Sequence, residues 1–318
     1  MRELLEVAWY AYLDGRKSPV TRRAGKGFAD PEYEISVDWL GTREAIRVAQ
    51  AEHDDPAGKS RILLICGSPR NDQSCPGEMS KTYRMLQLAA GELATRDVEV
   101  DVLDLSLLIS EYGKVIYPCK GCVSTAMPLC HWPCSCYPNH GLGQVNDWMS
   151  EIYPRWVRAH GILLMTPVHW YQAPAALKLM IDRLVCADGG NPDPSSTHGK
   201  KAEEAKALEL RGWSYPRHLE GRSFAVVVHG DTAGTEALRR SLVDWLSDMG
   251  LVLAGTAAAF DRLVGYYEPY ATSHETFDRE EALHQEIRNA AQALMTQVER
   301  RRAGIREARE DLVSPRPK

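Results

Sequence analysis

Five short apolar runs alternate along the chain with stretches whose apolar residues recur at helical spacing. The runs cover residues 61–66, 98–105, 161–168, 222–230 and 251–260. Apolar runs of this length are typical of strands buried on both faces, and strands that alternate with helices form parallel sheets. The sequence therefore predicts an α/β fold, a doubly wound five-stranded parallel sheet with helices on both faces.

Residues 1–60 precede the alternation and are predicted to form an N-terminal helical extension. Helical spacing is present over residues 4–13 and again over 37–51, with a basic, glycine-containing stretch between them. That stretch fits either a solvated connector or an arm that contacts another subunit. The predicted organisation is this extension, then an α/β domain over 61–303, then a polar tail over 304–318.

The overall charge and hydropathy argue against two classes of partner. A formal net charge of −5 is not that of a general nucleic-acid-binding protein. No apolar stretch approaches the length of a membrane span. The first residues carry acidic side chains within their apolar run and lack the basic start of a signal peptide. We therefore expect a cytoplasmic protein without a nucleic-acid partner or a membrane span.

Three segments that directly follow predicted strands are candidates for the ligand site. In open parallel sheets, ligands bind outside the carboxyl ends of the strands. The segments 66–82, 166–172 and 229–234 follow the first, third and fourth apolar runs. The sequence thus predicts that these three loops together form one site.

The first of these loops does not match either of the common nucleotide-binding glycine patterns. A triphosphate loop needs two glycines that let the backbone wrap the phosphates, but Ser80 stands at the place of the second. The dinucleotide pattern also fails, because Gly67 is followed by serine and proline. Both of these ligand classes are therefore excluded for this loop.

The polar residues of the same loop suit a terminal monophosphate instead. The hydroxyl groups of Ser68 and Thr82 can donate hydrogen bonds, and Arg70 can pair with two phosphate oxygens. Backbone amides at the predicted helix start complete an anion-binding arrangement.

Two stretches carry a resemblance to a known family. The sequences "GSPR" (67–70) and "SKT" (80–82), together with "TPVHWYQAPAALKLMIDRL" (166–184), are similar to the NADPH-dependent FMN reductase family of flavodoxin-like proteins. The resemblance covers roughly residues 61 to 260. It implies a flavodoxin-like fold, bound FMN, NAD(P)H as co-substrate, a small-molecule electron acceptor and a homodimer or homotetramer.

The resemblance also implies which residues contact the flavin. The phosphate would be bound by Ser68, Arg70, Ser80, Lys81 and Thr82. The residues along the ring would be Pro167, Val168, His169, Trp170 and Tyr171. Those beside the pyrimidine edge of the ring would be Gly230, Asp231 and Gly234. Aromatic walls suit a planar ring, and glycines let the backbone approach it. No side chain is assigned a catalytic role, because the flavin carries the redox chemistry. Lys178, Asp182 and Arg183 are interpreted as a helix surface or subunit contact.

Five of the eight cysteines fall between positions 119 and 136. In a reducing compartment, clustered thiols are more often metal ligands or redox-active groups than disulfides. Iron–sulfur flavoproteins, one branch of the family, hold a [4Fe–4S] cluster on cysteines in this region, which would implicate Cys119, Cys122, Cys130 and Cys134. That branch has its first three cysteines two residues apart, whereas seven residues separate the second and third here. A zinc site completed by His131 or His140, or thiols without metal, are the alternatives.

The expected function is an FMN-dependent oxidoreductase that passes a hydride from NAD(P)H through bound FMN to a quinone, flavin or similar acceptor. The first alternative is an iron–sulfur flavoprotein that acts as an electron-transfer module. The second is a non-redox protein of the same fold that binds another phosphorylated ligand. Three tyrosines and one histidine follow the fifth apolar run: Tyr266, Tyr267, Tyr270 and His274. They could contact the flavin, lie at a dimer interface or pack against the last helix.

Overall fold

A computed structural model describes residues 1–14, 20–71, 78–134 and 147–305. Its strands are β1 (Thr21–Arg23), β2 (Glu34–Ser36), β3 (Ser60–Cys66), β4 (Val98–Asp104), β5 (Gly161–Pro167), β6 (Ser223–Gly230), β7 (Val252–Leu253) and β8 (Ala259–Leu263). Its α-helices are α1 (Arg2–Asp14), α2 (Val37–Asp54), α3 (Lys81–Leu93), α4 (Leu107–Ser110), α5 (Met149–Arg158), α6 (Ala175–Ala187), α7 (Ala202–Arg211), α8 (Thr235–Asp248), α9 (Ser273–Arg279) and α10 (Glu281–Arg302).

The central sheet is parallel throughout and has the strand order β4-β3-β5-β6, with β7 and β8 both paired to β6. Strands β1 and β2 form a separate antiparallel pair. The order places β3, the first strand of the α/β domain, between β4 and β5, which is the flavodoxin-like arrangement. The predicted doubly wound parallel fold is confirmed.

The last strand of the sheet differs in detail from the prediction. Instead of one strand over 251–260, two short strands pair with successive parts of β6, separated by a 3₁₀ turn at Thr256–Ala258. Gly255 begins this turn with a positive φ of 90°, a conformation that glycine adopts readily. The second piece, β8, pairs as far as Gly230, so the following segment begins beside the carboxyl end of β6.

Helices cover the sheet on both faces because alternate strand residues point to opposite sides. On β3, Leu63 and Ile65 belong to the core that also contains residues of α5, α6 and α8. Their neighbours Ile62 and Leu64 belong to the core with α3 and α10. This two-sided burial explains why β3, β5 and β6 are almost continuously apolar.

The second helix of the N-terminal region packs onto the α/β domain. Ser36 begins α2 as its N-cap, since its hydroxyl accepts a hydrogen bond from the Trp39 N–H at 3.3 Å. The Trp39 indole donates to the Pro133 carbonyl at 2.7 Å, and Ile46 and Ala49 lie in the same core as Leu63. The domain division at residue 60 stays a prediction. None of the helices in the described stretches combines the length and apolarity needed to cross a membrane.

The interpretation of Arg183 as a surface residue is wrong. Its Nη1 lies 2.6 Å from Asp147 Oδ2 and 2.9 Å from the Tyr117 carbonyl, and the side chains of the ion pair are each only 1% exposed. Lys178 and Asp182 do form an ion pair on the exposed side of α6. Removing one partner of a buried pair costs about 3–5 kcal/mol, because the other charge is left buried and unpaired, so we expect loss of the Arg183 side chain to be strongly destabilising.

Candidate cofactor site

The three strand-end loops meet at a cavity of about 430 Å³ beyond the carboxyl ends of β3, β5 and β6. This volume is within the range of small-molecule sites. The predicted residues that line it are Ser68, Arg70, Ser80, Lys81, Thr82, Pro167, Val168, His169, Gly230 and Asp231. The structure therefore brings most of the predicted site residues together, and their contact with a ligand stays a prediction.

Hydrogen bonds connect the two ends of the insertion in the first loop, at residues 70–71 and at Ser80. The Ser80 N–H donates to the Asn71 carbonyl at 3.1 Å, and the Ser80 hydroxyl donates to the Arg70 carbonyl at 2.8 Å. Residues 72–77 lie outside the described part of the chain. The base contacts bring Ser80, Lys81 and Thr82 next to the 67–70 stretch despite the long insertion.

Ser80 is also the N-cap of α3. Its hydroxyl oxygen accepts a hydrogen bond from the Tyr83 N–H at 3.1 Å, which satisfies one of the amides at the helix start. Because the Ser80 hydroxyl already donates its proton to the Arg70 carbonyl, this side chain connects the two ends of the loop. Its predicted contact with the cofactor stays a prediction.

Positive charge and unpaired donors collect at this end of the cavity. Arg70 donates through Nη2 to the Glu78 carbonyl at 2.9 Å, while its Nε is buried without a partner among the described residues. Burial lowers the pKa of Lys81, and the carboxylates of Asp231 and Glu78 partly offset this effect. The first amides of α3 have no intrahelical acceptor. Together these groups form a site for an anion.

His229 is a cavity residue that the sequence analysis did not name individually, although it lies in the predicted 229–234 segment. It is the last residue but one of β6, directly before Gly230, and its Nε2 lies 2.6 Å from the Thr82 hydroxyl on α3. Burial, with smaller contributions from Lys81 and His169, lowers its pKa to about 3. The only sequence signal was its position at the carboxyl end of a predicted strand.

The loop after β5 forms a tight turn that directs two aromatic side chains outward. His169 and Gln172 exchange two backbone hydrogen bonds of 2.9 Å each. Between them, Trp170 and Tyr171 both have positive φ angles, 47° and 67°, as the two central residues of a type I′ turn do. Trp170 is 92% exposed and Tyr171 is 59% exposed, and neither lines the cavity. Their predicted role as walls of the flavin site stays a prediction.

Two glycines are required by the close approach of the loops. A Cβ on Gly230 would lie 2.5 Å from Val168 Cγ1, and one on Gly234 would lie 2.9 Å from the Tyr171 Cα. Gly234 also has a φ of 107°. It supports the turn at Tyr171 and is not part of the cavity lining.

The segment after β8 completes the cavity on one side. Tyr270, Ser273 and His274 line it. His274 Nε2 lies 3.4 Å from a Glu78 carboxylate oxygen, which connects α9 to the end of the insertion. Tyr266 and Tyr267 pack against each other with ring centroids 4.7 Å apart and do not line the cavity.

No cysteine of the described stretches lines this cavity. Cys130 and Cys134 are buried, whereas Cys119 and Cys122 are partly exposed. The Lys200 ammonium lies 3.7 Å from Cys122 Sγ.

The four predicted ligands are not assembled into a metal site in the part of the chain that the structure describes. Over these stretches, no group of three or more histidine, cysteine or acidic residues could hold a metal ion. Cys136 and His140 lie outside the described residues. The described thiols therefore do not by themselves fit a cluster, and the predicted ligand set stays a prediction.

The sequence of the α/β domain decides the family. The protein-family model of NADPH-dependent FMN reductases matches residues 60–263, which include every strand of the central sheet. The chain belongs to the NADPH-dependent FMN reductase family. The resemblance that the sequence suggested is thereby confirmed, and with it a flavin-dependent oxidoreductase family.

Individual relatives are more distant. The iron–sulfur flavoprotein of Methanosarcina thermophila is 24% identical over 200 residues, which cover 63% of this chain and 80% of that protein. Among solved structures, RosB with a bound 8-demethyl-8-formylriboflavin-5′-phosphate intermediate is similar with a TM-score of 0.49 and 12% identity, over 78% of this chain and 82% of that one. General stress protein 14 of Treponema denticola, in complex with FMN, has a TM-score of 0.35 and 13% identity, over 76% and 98% of the two chains.

Proposed function

We propose that the protein is an FMN-dependent oxidoreductase that takes a hydride from NAD(P)H and delivers the electrons to a quinone, a flavin or a similar small acceptor. The observation that carries the proposal is the cavity of this family member. It places the buried Nε of Arg70, which has no partner among the described residues, and the N-terminus of α3 at the carboxyl edge of the sheet.

The anion-binding end of the cavity fits the phosphate of FMN. Arg70 and Lys81 supply positive charge, and the first amides of α3 point to the same place. Ser68 is buried, and its hydroxyl oxygen accepts the Arg70 N–H at 3.1 Å, which leaves the hydroxyl proton available to a ligand oxygen. Two cations balance a dianion in charge.

The remaining cavity walls suit the isoalloxazine ring. Pro167 ends β5 and is followed by Val168 and His169, and Gly230 ends β6 and is followed by Asp231. All five residues line the cavity. The clash that a side chain on Gly230 would cause shows how closely these two loops approach. Backbone donors in such a position can hold the polar edge of a flavin ring.

Bound FMN would supply the hydride acceptor and the electron transfer, whereas the protein would orient it and exclude water from one side. Burial lowers the pKa of both His169 and His229, which favours the neutral imidazole at neutral pH. We assign neither of them a proton-transfer role and expect solvent to supply the proton that an acceptor requires.

The absorption spectrum of the anaerobically purified protein, recorded before and after NADPH or NADH is added, tests this function. Two flavin bands that bleach on addition of the nucleotide would support it, and failure to bind added FMN would contradict it. In the Arg70→Met variant, we expect FMN affinity to fall by at least about tenfold, because a hydrogen-bonded charge is lost. The matched control is Arg240→Met, since that arginine lies on the exposed face of α8.

An iron–sulfur electron-transfer protein is the second candidate. It is favoured by the similarity to the iron–sulfur flavoprotein of Methanosarcina thermophila and by the five clustered cysteines. Iron and acid-labile sulfide in stoichiometric ratio to FMN, after anaerobic purification, would support it. Their absence in protein that retains FMN would leave the NAD(P)H-dependent reductase as the single candidate.

A further inference from the structure

His229 is a cavity residue with a buried ring nitrogen that has no partner among the described residues. His229 is one of the residues around the cavity although it is only 5% exposed, and its Nε2 contacts the hydroxyl of Thr82, which is 1% exposed. The other ring nitrogen, Nδ1, is buried and has no hydrogen-bond partner among the described residues. A buried polar atom without a partner is destabilising, so its presence at a cavity wall points to a partner supplied by a ligand.

The chemistry of phosphate selects one of the two tautomers of this ring. A neutral imidazole has one N–H donor and one acceptor nitrogen. A phosphate dianion offers only acceptor oxygens, so it can satisfy Nδ1 only if that nitrogen carries the proton. Nε2 is then the acceptor, and the Thr82 hydroxyl must donate to it.

We propose that Thr82 holds His229 as the Nδ1–H tautomer and that this N–H donates a hydrogen bond to the phosphate of the ligand in the cavity. The proposal rests on the proposed function, because FMN supplies the phosphate. It changes the expected role of Thr82, which becomes a positioning residue for the imidazole instead of a direct phosphate donor.

A neutral donor also fits the charges around the ring. Lys81 on α3 and His169 on the β5 loop both disfavour a positive charge on His229, and burial disfavours it further. Arg70 and Lys81 already match the charge of a dianion. An additional imidazolium would be desolvated beside Lys81 without a carboxylate bonded to it among the described residues, whereas a neutral N–H adds a hydrogen bond at no such cost.

Nitrogen-15 NMR of histidine-labelled protein tests the tautomer directly. In the FMN-bound protein, we expect the His229 signals to show a protonated Nδ1 and an unprotonated Nε2, with the His229→Asn variant identifying them. A protonated Nε2 or an imidazolium pattern at neutral pH would overturn the proposal. In Thr82→Val, which keeps the shape of the side chain but lacks the hydroxyl, we expect a mixture of the two neutral tautomers.

Two substitutions at His229 separate the roles of its nitrogens. Asparagine places an amide N–H near the Nδ1 position, and glutamine places one near the Nε2 position. We expect His229→Asn to bind FMN within a few-fold of the wild type and His229→Gln to bind it about ten- to a hundredfold more weakly. Riboflavin lacks the phosphate, so its affinity should be the same in all three proteins. Equal losses for FMN and riboflavin would show a structural role and overturn the proposal.

This design keeps the proposal distinct from the proposed function. If the wild-type protein binds no FMN, the oxidoreductase proposal fails, and inorganic phosphate replaces FMN as the probe in the same NMR experiment. A change in the His229 Nδ1 shift on addition of phosphate would still support the hydrogen bond. An unchanged shift at saturating phosphate would overturn it.

Discussion

The imidazole rings of His53 and His160 stack on each other, with centroids 4.5 Å apart and planes inclined by 23°. His160 Nδ1 accepts the Arg61 N–H at 3.0 Å, and its Nε2 therefore donates to the His53 carbonyl at 3.1 Å. His53 Nδ1 lies 3.1 Å from the Ala159 carbonyl and must carry a proton to bond to it. The pair joins the end of α2 to the start of β3 and β5, and both rings are neutral in this arrangement.

We expect this pair to make the protein sensitive to acid. Burial lowers the pKa of His53 to about 4 and that of His160 to about 3. Because both values lie below the ordinary value of 6.5, protons bind the unfolded chain more readily, and stability falls as the pH drops from about 6.5 towards 4. Each pH unit costs up to about 1.4 kcal/mol per histidine within that window.

Urea unfolding at a series of pH values measures this loss. The His160→Asn variant is informative because its side-chain oxygen can still accept the Arg61 N–H. The variant should lose a smaller part of its free energy of unfolding between pH 6.5 and 4. Equal slopes in the two proteins would contradict the assignment.

Ser80 should contribute to both stability and ligand binding. In Ser80→Ala, the N-cap of α3 and the bond to the Arg70 carbonyl are lost, and we expect the free energy of unfolding to fall by about 1 kcal/mol or more. FMN affinity should fall as well, because the base of the insertion loosens. Chemical denaturation and flavin titration measure the two effects.

A second serine N-cap provides the matched control for this change. Ser106 begins α4, but its buried hydroxyl has no hydrogen-bond partner among the described residues. Removing an unsatisfied buried hydroxyl costs little or stabilises the fold. Ser106→Ala should therefore leave stability unchanged or higher, and a loss as large as that of Ser80→Ala would refute the account.

Gly230 should not tolerate any side chain. In Gly230→Ala the new methyl group would meet Val168 Cγ1 at 2.5 Å, so the loops after β5 and β6 must separate. Overpacking of this kind costs about 1–3 kcal/mol. The control is Gly91→Ala in α3, where a Cβ meets nothing within 4 Å and helix propensity improves by roughly 0.5–1 kcal/mol. Thermal unfolding of both variants should give shifts of opposite sign.

The turn at Trp170 should be strained, because both of its central residues have left-handed backbones without being glycine or asparagine. A left-handed conformation costs roughly 1–2 kcal/mol for most residues. We expect Trp170→Asn to be more stable than Trp170→Val, which is β-branched. Both variants lose the same exposed indole, so its contacts cancel from the comparison. Equal melting temperatures would argue against strain at this position.

The strands and the order of the ligand loops could be predicted because they depend on local patterns. A buried parallel strand must be apolar along its length, and its carboxyl end must face the ligand edge, so residues such as Ser68, Val168 and Gly230 could be assigned to one site. Their assembly needed no knowledge of individual contacts.

Features that depend on distant partners could not be predicted. The contact of His229 with Thr82 joins residues that are far apart in the chain, and the burial of Arg183 depends on Asp147. The outward direction of Trp170 follows from a turn whose sequence lacks the usual glycine or asparagine. In each case the feature depends on a distant partner or on a backbone angle, and neither produces a periodic pattern in the sequence.

The contact of Asn71 with Ser80 has an evolutionary consequence. Because the two ends of the inserted segment are fastened to each other, its length is uncoupled from the geometry of the cleft. Residues could be gained or lost there over generations without moving the anion-binding groups. The number of residues between "GSPR" and "SKT" therefore does not determine where Ser80 lies relative to Arg70.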